Sequence, residues 1–385
     1  MDAELSRAEA EADAAAQAGR LGDARRLLEA AVAETPDRLG TWLKLAAMCR
    51  GTGDLGAAMT AVSRALALDP VDLSALLVRA MLLERMGKAD EAGEAYGHAL
   101  AQRPAGDDPP GLAPMLAHAE QSYARFQEAL AGRLRGGLAG GGTTPAEQAR
   151  IDRFVTNVAR ITRPFAQEPS HFHFPGLPPV EFHDRDLFPW LGELEAATPE
   201  IREEFDALIA SEAAELVPYI QYPDDVPVRQ WQALNRSRDW TAVHLLQNGR
   251  RIERNARHCP RTMALLGRLP QPDVPGASPN AMFSLLAPRT RIPPHTGVAN
   301  TRLVCHLPLI VPAGCGFRVG AQTRDWRPGT AFVFDDTIEH EAWNDSPELR
   351  VVFIFDVWAW ALSAAERRAV AAIVPRSGAA GAEGL

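Results

Sequence analysis

The feature that most constrains this 385-residue chain is a period of 34 residues at its start. Gly19, Gly53 and Gly87 are 34 apart, and so are Ala24, Ala58 and Ala92, then Ala31, Ala65 and Ala99, then Pro36, Pro70 and Pro104. Four registers sharing one period are far from coincidence. Each unit reads as Gly, four residues, Ala, an amphipathic helix, Pro and another helix, most clearly in GDLGAAMTAVSRALALDP at 53–70. The Gly lets the chain turn between helices, the small Ala lets helices approach closely, and the Pro closes the second helix. A unit this small cannot bury its apolar face alone, so stacked copies must share a core.

This pattern resembles the tetratricopeptide repeat over about residues 5–104, with Trp42 and Leu76 at the first-helix position where that family prefers a large apolar side chain. The resemblance implies an N-terminal α-solenoid of helix hairpins, assigned to 1–104. Its concave face reads either as a docking groove for a peptide or protein or as an oligomerisation or packing module, and three repeats offer only a short groove. PAGDDPPGLAP (104–114) then breaks the last helix. Two further helical stretches, separated by the glycine-rich RGGLAGGGTTPAEQ, make 105–162 a helical linker bridging to the C-terminal domain.

A net charge of −9 argues against a nucleic-acid surface, although NGRRIERNARH (248–258) is locally basic. The polar start MDAELSRAEAEADAAAQ has no signal-peptide core, and no run of about 18 uncharged apolar residues marks a membrane span. Four cysteines without CxxC spacing point away from a disulfide framework and toward a reducing cytoplasm.

From 163 the texture changes. RPFAQEPSHFHFPGLPPVEFHDRDLFPWL is rich in Pro, Phe and His. His171, His173 and His183 invite a metal reading, but the proline density and the alternating Phe favour an extended covering segment. From 281 onward, short apolar runs (AMFSLLAP, TRLVCHLPLIVP, CGFRVG, GTAFVFDD, HEAWND, LRVVFIFDVW) recur between turn signals with no helical pattern among them. An antiparallel all-β domain follows, and a double-sheet jelly roll (a double-stranded β-helix) is the natural candidate. SAAERRAVAAIV (363–374) reads as a closing helix and 376–385 as a flexible tail. The expectation is an α+β multidomain chain: solenoid, linker, then a jelly-roll domain over 163–375.

His295 and His340 lie 45 residues apart, one before a strand and one after, and Arg350 is ten residues beyond His340. A first histidine, a distant second and an arginine about ten later resemble the layout of Fe(II)/2-oxoglutarate oxygenases. Imidazole suits ferrous iron, open coordination positions admit cosubstrate and O₂, and a buried Arg can hold a carboxylate in a bidentate pair. The acid such sites place two residues after the first histidine is missing, because Gly297 stands there.

PPHTGVANTRLVCHLPL, FRVG, W-x-x-G-x-x-x-x-FDD-x-x-EHE-x-W and R-x-x-x-x-FDVW together resemble the aspartyl/asparaginyl β-hydroxylase family, known for HTG in place of HxD and for iron held by two histidines. The resemblance covers about 165–365, is most specific between 282 and 358, and extends to SRDWTAVHLLQNGRRIERNARHCPRT (237–262). It implies that His295 and His340 ligate iron, that Ser284 and Arg350 bind the distal carboxylate of 2-oxoglutarate, that His306 sits near its metal-bound end, that Arg302 and Trp240 point to the substrate, and that Asp336 supports the metal site. Three departures stand out. Val304 replaces an Arg that helps hold 2-oxoglutarate in the animal enzymes, Ala242 replaces a substrate-binding Gln, and DVWAW replaces DVWHP.

Plainer readings stand beside these. His306 also reads as a structural histidine, Trp240 as core packing and Arg302 as a surface charge. No ligand spacing supports zinc at Cys305 or Cys315. The expected function is a dioxygenase hydroxylating an unactivated carbon, with Fe(II), 2-oxoglutarate and O₂. Its expected target is the β-carbon of Asp or Asn in a peptide or protein recruited by the repeats. The alternatives are a lipid acyl or small-molecule target, and a non-catalytic adaptor whose jelly roll senses a ligand.

Overall fold

The computed structural model describes residues 2–137, 142–225 and 227–377. The chain divides into two compact units between Arg163 and Pro164. No helix among the described residues is long and apolar enough to cross a membrane.

The first unit is helical: α1 (Asp2–Gln17), α2 (Leu21–Glu34), α3 (Leu39–Gly51), α4 (Leu55–Leu68), α5 (Leu73–Arg85), α6 (Ala89–Leu100), α7 (Ala113–Gly136) and α8 (Pro145–Val158). The 34-residue register maps onto this order. Gly19, Gly53 and Gly87 take φ of +76°, +83° and +74° at the turn inside each hairpin, a conformation that strains any other residue. Ala24, Ala58, Ala92, Ala31, Ala65 and Ala99 are all buried at the helix contacts. Asp54 and Asp72 cap α4 and α5 by accepting from the backbone N–H of Ala57 and Ala75.

Residues 105–162, expected as a helical linker, carry α7 and α8 and fall within this unit. Leu116 and Ala119 of α7 share a core with Leu77, Ala80 and Tyr96. The physical reason lies on α6, where Gly93 and Gly97 leave the room that the Phe126 and Tyr123 rings fill. Thr144 and Glu147 cap the start of α8 reciprocally, and its Val155 and Ala159 pack on Ala131. Residues 138–141 of the glycine-rich stretch and 378–385 of the expected tail lie outside the described residues.

In the second unit the proline-rich segment runs extended and touches the sheets through isolated bridges at Gln167, Phe172 and Phe182. Two helices follow, α9 (Leu191–Ala196) and α10 (Thr198–Ala210). The strands are β1 (Val217–Pro218), β2 (Trp240–Gln247), β3 (Arg250–Arg251), β4 (Ala281–Leu286), β5 (Thr290–His295), β6 (Arg302–Ile310), β7 (Cys315–Val319), β8 (Gln322–Arg324), β9 (Phe332–Phe334), β10 (His340–Asn344) and β11 (Arg350–Trp358). Between β3 and β4 lie α11 (Glu253–Ala256) and α12 (Pro260–Leu266), and α13 (Ala364–Ile373) closes the unit behind a Ser363/Glu366 capping box. One sheet has the order β1-β2-β4-β11-β6-β9 with β3 beside β2, the other β5-β10-β7-β8, and the pairings within both are antiparallel.

Period-two alternation sorts the long strands of the larger sheet by residue parity. Odd positions such as Val243, Phe283, Leu303, Cys305, Phe353 and Phe355 pack outward against Leu194, Phe205 and Leu265 of the helices. Even positions such as Ala242, Met282, Val304, Val352 and Ile354 face a second core shared with Ile292, Phe317 and Ala342 of the smaller sheet. Trp240, Ser284, Arg302, His306 and Arg350 all fall on the even face. The alternation that makes the fold therefore gathers the candidate site residues between the sheets.

Candidate active site

The two histidines are separated by 45 residues in the chain, yet they are directly paired across β5 and β10. Their ring centroids are 4.0 Å apart. His295 Nδ1 lies 2.8 Å from the Pro293 carbonyl and His340 Nδ1 lies 3.1 Å from the Ile338 carbonyl. A carbonyl only accepts, so each Nδ1 carries the proton and each Nε2 carries the lone pair. Burial keeps both rings neutral: it holds His340 down to about 4 and, with His340 alongside, takes His295 well below the ordinary histidine range. Two neutral imidazoles oriented by backbone acceptors are the form that binds a metal ion.

Gly297 explains the missing acid. A Cβ at this position would overlap the Asp336 carboxylate. Gly297 also donates its backbone N–H to the Asp336 carbonyl at 2.7 Å. Asp336 therefore fills the space that a side chain at 297 would need. No group of three or more His, Cys, Asp or Glu side chains with metal-binding geometry occurs among the described residues.

Asp336 is buried beside Arg302, with Arg302 NH1 3.2 Å from its Oδ2 but not aligned as a hydrogen bond. Burial raises the Asp336 pKa against the pull of Arg302. Burial likewise opposes the Arg302 charge, and Asp336 and Asp356 outweigh it. Arg302 is thus an interior cation with an acid already beside it, where the sequence left open a substrate contact or a surface charge. Its burial excludes the surface charge.

Arg350 differs. It is 1% exposed, and among the described residues no carboxylate pairs with it. Its NH1 donates to Ser284 Oγ at 3.3 Å, its guanidinium lies 4.5 Å over the Trp326 ring, and its Nε has no partner. Burial lowers its pKa to about 10. Leaving a buried charge without its partner costs about 3–5 kcal/mol in typical proteins. His306 sits close by in an aromatic cage of Phe317, Trp326, Phe332 and Phe334, and its Nδ1 is also unpartnered. Burial first, then Arg350 and His340, push its pKa well below the usual range.

Trp240 is 5% exposed and spends its indole N–H on Ser284 Oγ at 3.1 Å. Its polar end thereby fixes the serine that Arg350 also binds. Ala242 and Val304 are buried on the same face, beside Ser284 and Asp356 in register. Among the histidines of the covering segment, His183 is buried and accepts from Trp360 Nε1 at 3.2 Å, while His171 bonds Ser170. Sequence reasoning missed Trp326, present in the W-x-x-G motif but given no role, and Trp231, whose ring meets His295 edge-on at 5.0 Å. Nothing in the local sequence around Trp231 signals that contact.

A sequence model described as aspartyl/asparaginyl beta-hydroxylase matches residues 195–359, and a tetratricopeptide repeat model matches 15–82. The chain is 38% identical to human aspartyl/asparaginyl beta-hydroxylase over 142 residues, 36% of this chain and 18% of that protein. It is 32% identical to mouse aspartate beta-hydroxylase domain-containing protein 2 over 267 residues, 68% of this chain and 70% of that protein. It is 35% identical to the ornithine lipid ester-linked acyl 2-hydroxylase of Rhizobium tropici over 184 residues, 47% of this chain and 60% of that protein. The helical repeats align with the Yersinia enterocolitica secretion chaperone SycD, solved with a peptide of the translocator YopD, at TM-score 0.31 and 17% identity over 33% of this chain and 94% of that one. The chain belongs to the aspartyl/asparaginyl beta-hydroxylase family and carries tetratricopeptide repeats. It spans about a fifth of the length of the human and mouse aspartyl/asparaginyl beta-hydroxylases it matches.

Proposed function

We propose that the chain is an Fe(II)- and 2-oxoglutarate-dependent dioxygenase whose facing sheets are a jelly roll, and that it hydroxylates the β-carbon of an Asp or Asn in a peptide or protein docked by the repeats. The observation that carries the reading is Arg350: a buried arginine with a bare Nε and no acid, braced by Ser284 and Trp326, suits a dianionic cosubstrate. The residues fit the group on chemical grounds, since two neutral imidazoles suit ferrous iron. His295 and His340 would hold the metal, and Ser284 and Arg350 the far carboxylate. When bound, iron with 2-oxoglutarate and O₂ supplies the oxidising power that turns a C–H bond into C–OH.

The chain supplies position and environment. The carbonyls of Pro293 and Ile338 fix the histidine tautomers. Trp240 holds the Ser284 hydroxyl, so the carboxylate cradle is set before the ligand arrives. Phe317, Phe332 and Phe334 keep water from the His306 side. Asp336 and Arg302 form a polar corner beside the histidines, on which an acid or amide side chain would be aligned.

A second reading, an acyl-chain target, is favoured by one observation: fully buried Ala242 leaves this face without the polar side chain expected for gripping a peptide. Succinate formation from 2-oxoglutarate with Fe(II), in the presence of candidate peptides or acyl substrates, tests the reading. A +16 mass shift on a peptide supports it, and the same shift on an acyl chain alone supports the second. No succinate under any of these conditions would leave a non-catalytic adaptor.

A further inference from the structure

Three aromatic rings stand beside the metal-binding face. Tyr219 stacks on Trp240 with centroids 3.8 Å apart and planes 9° apart. Trp231 meets Trp240 at 6.1 Å and stands edge-on to His295 at 5.0 Å and 68°. They are not equivalent. Trp240 is buried and its N–H is committed to Ser284, whereas Trp231 is only half-buried. Trp231 packs on the core between the sheets yet leaves part of its ring open beside His295, where a bound side chain could reach it.

Trp231 is also held in place. It sits on a short 3-10 turn, its N–H donating to Val228 O at 2.8 Å and its carbonyl accepting from Leu234 N and Asn235 N. Leu234 is buried in the core between the sheets. The Asn235 side chain accepts from Tyr222 N at 2.8 Å and donates to Tyr222 O at 3.3 Å, tying the turn back to the segment after β1. A backbone fixed in this way lowers the ordering cost of presenting the ring on binding.

Arg302 and Asp336 offset each other, and Tyr219, stacked on Trp240, lies within electrostatic reach of both, whereas Trp231 meets Trp240 and His295, with Ala242 on β2 leaving no polar side chain at that position. We infer that Trp231 is a specificity-determining residue, giving the site a preference for an acid or amide residue whose neighbour in the peptide is aromatic or branched apolar. The inference rests on the hydroxylase reading above: the acid or amide group is aligned by the Arg302–Asp336 pair, and the neighbour lies on the open indole.

The test uses the full chain with Mn(II) in place of Fe(II), 2-oxoglutarate, and calorimetric titration of short peptides with a central Asp flanked by Phe, Leu or Gly. An aromatic contact of about 0.5–1.5 kcal/mol corresponds to a preference of roughly two- to tenfold. The expected result is that wild type favours Phe and Leu flanks over Gly by several-fold, that Trp231→Ala brings the ratio to about one, and that Trp231→Phe retains most of it. Measurable 2-oxoglutarate binding by each variant shows that the site is folded. A ratio unchanged in Trp231→Ala overturns the inference. So does a wild type that binds 2-oxoglutarate but shows no flank preference, or prefers octanoyl-glycine to every peptide, and both leave the dioxygenase reading standing. A wild type that binds no 2-oxoglutarate overturns that reading and this inference with it.

Discussion

The two units of this chain treat buried polar groups in opposite ways. In the repeat unit the buried Tyr96 hydroxyl donates to Glu84, the His118 ring shares that carboxylate, and Thr41 donates to Glu9. Seven buried side-chain nitrogen or oxygen atoms among the described residues lack a partner, on His183, Arg302, His306, Trp326, Asp336, Arg350 and Arg367, and all seven lie in the sheet unit. Arg302, His306, Trp326, Asp336 and Arg350 gather around the space between the sheets. A helix stack whose work is to pack satisfies its own polar atoms. A site that must receive a ligand leaves some bare, at a cost in stability that the ligand relieves. The difference marks where chemistry is to be sought without any knowledge of relatives.

Five substitutions break or sharpen this contrast, in descending effect on 2-oxoglutarate turnover. His295→Ala or His340→Ala should drop turnover to background, beyond the 10–100-fold typical of losing an outer partner of a metal ligand, because two ligands leave no spare. Near-normal succinate formation in either would refute the assignment. Arg350→Met should raise the KM for 2-oxoglutarate by about tenfold or more, even without prime substrate. It should also leave the ligand-free protein as stable or about 1–4 kcal/mol more so by urea unfolding, because it replaces an unpaired buried charge with an apolar side chain.

Arg302→Ala should show the reverse. It strands the Asp336 carboxylate, so stability should fall by about 3 kcal/mol, while the KM moves less than about threefold. A KM rise matching that of Arg350→Met would mean that Arg302 has taken over cosubstrate binding where Val304 replaces an arginine. Gly93→Ala, in the repeat unit, should leave the KM unchanged. Its methyl would overlap Phe126, at an overpacking cost of about 1–3 kcal/mol read from thermal unfolding. A shift in 2-oxoglutarate kinetics there would show that the units are not independent in function.

The repeat unit was legible because its determinants are local. A glycine that must take positive φ and an alanine at a helix contact recur at fixed spacing, and the spacing survives in the sequence. Helix α7 was legible as a helix, but its packing onto the repeats was not, because the glycines that admit it, Gly93 and Gly97, lie outside the repeated register and make sense only beside Phe126 and Tyr123. In the sheet unit, the histidine pair and Arg350 were readable from spacing and family pattern. The bracing of Ser284 by Trp240 was not, since register across β2 and β4 decides it. Nor was the reason for Gly297, which depends on a carboxylate 39 residues along the chain. Trp326 sat in a recognised motif, yet its place under Arg350 is a contact through space that no spacing encodes.

The central claim is that Arg350 is left without an acid because a carboxylate of 2-oxoglutarate completes it. Calorimetric titration of 2-oxoglutarate into the Mn(II)-loaded chain, wild type beside Arg350→Met, tests it most directly. The account predicts measurable binding by wild type and an affinity at least about tenfold weaker for Arg350→Met. Equal affinity in the two proteins would contradict it.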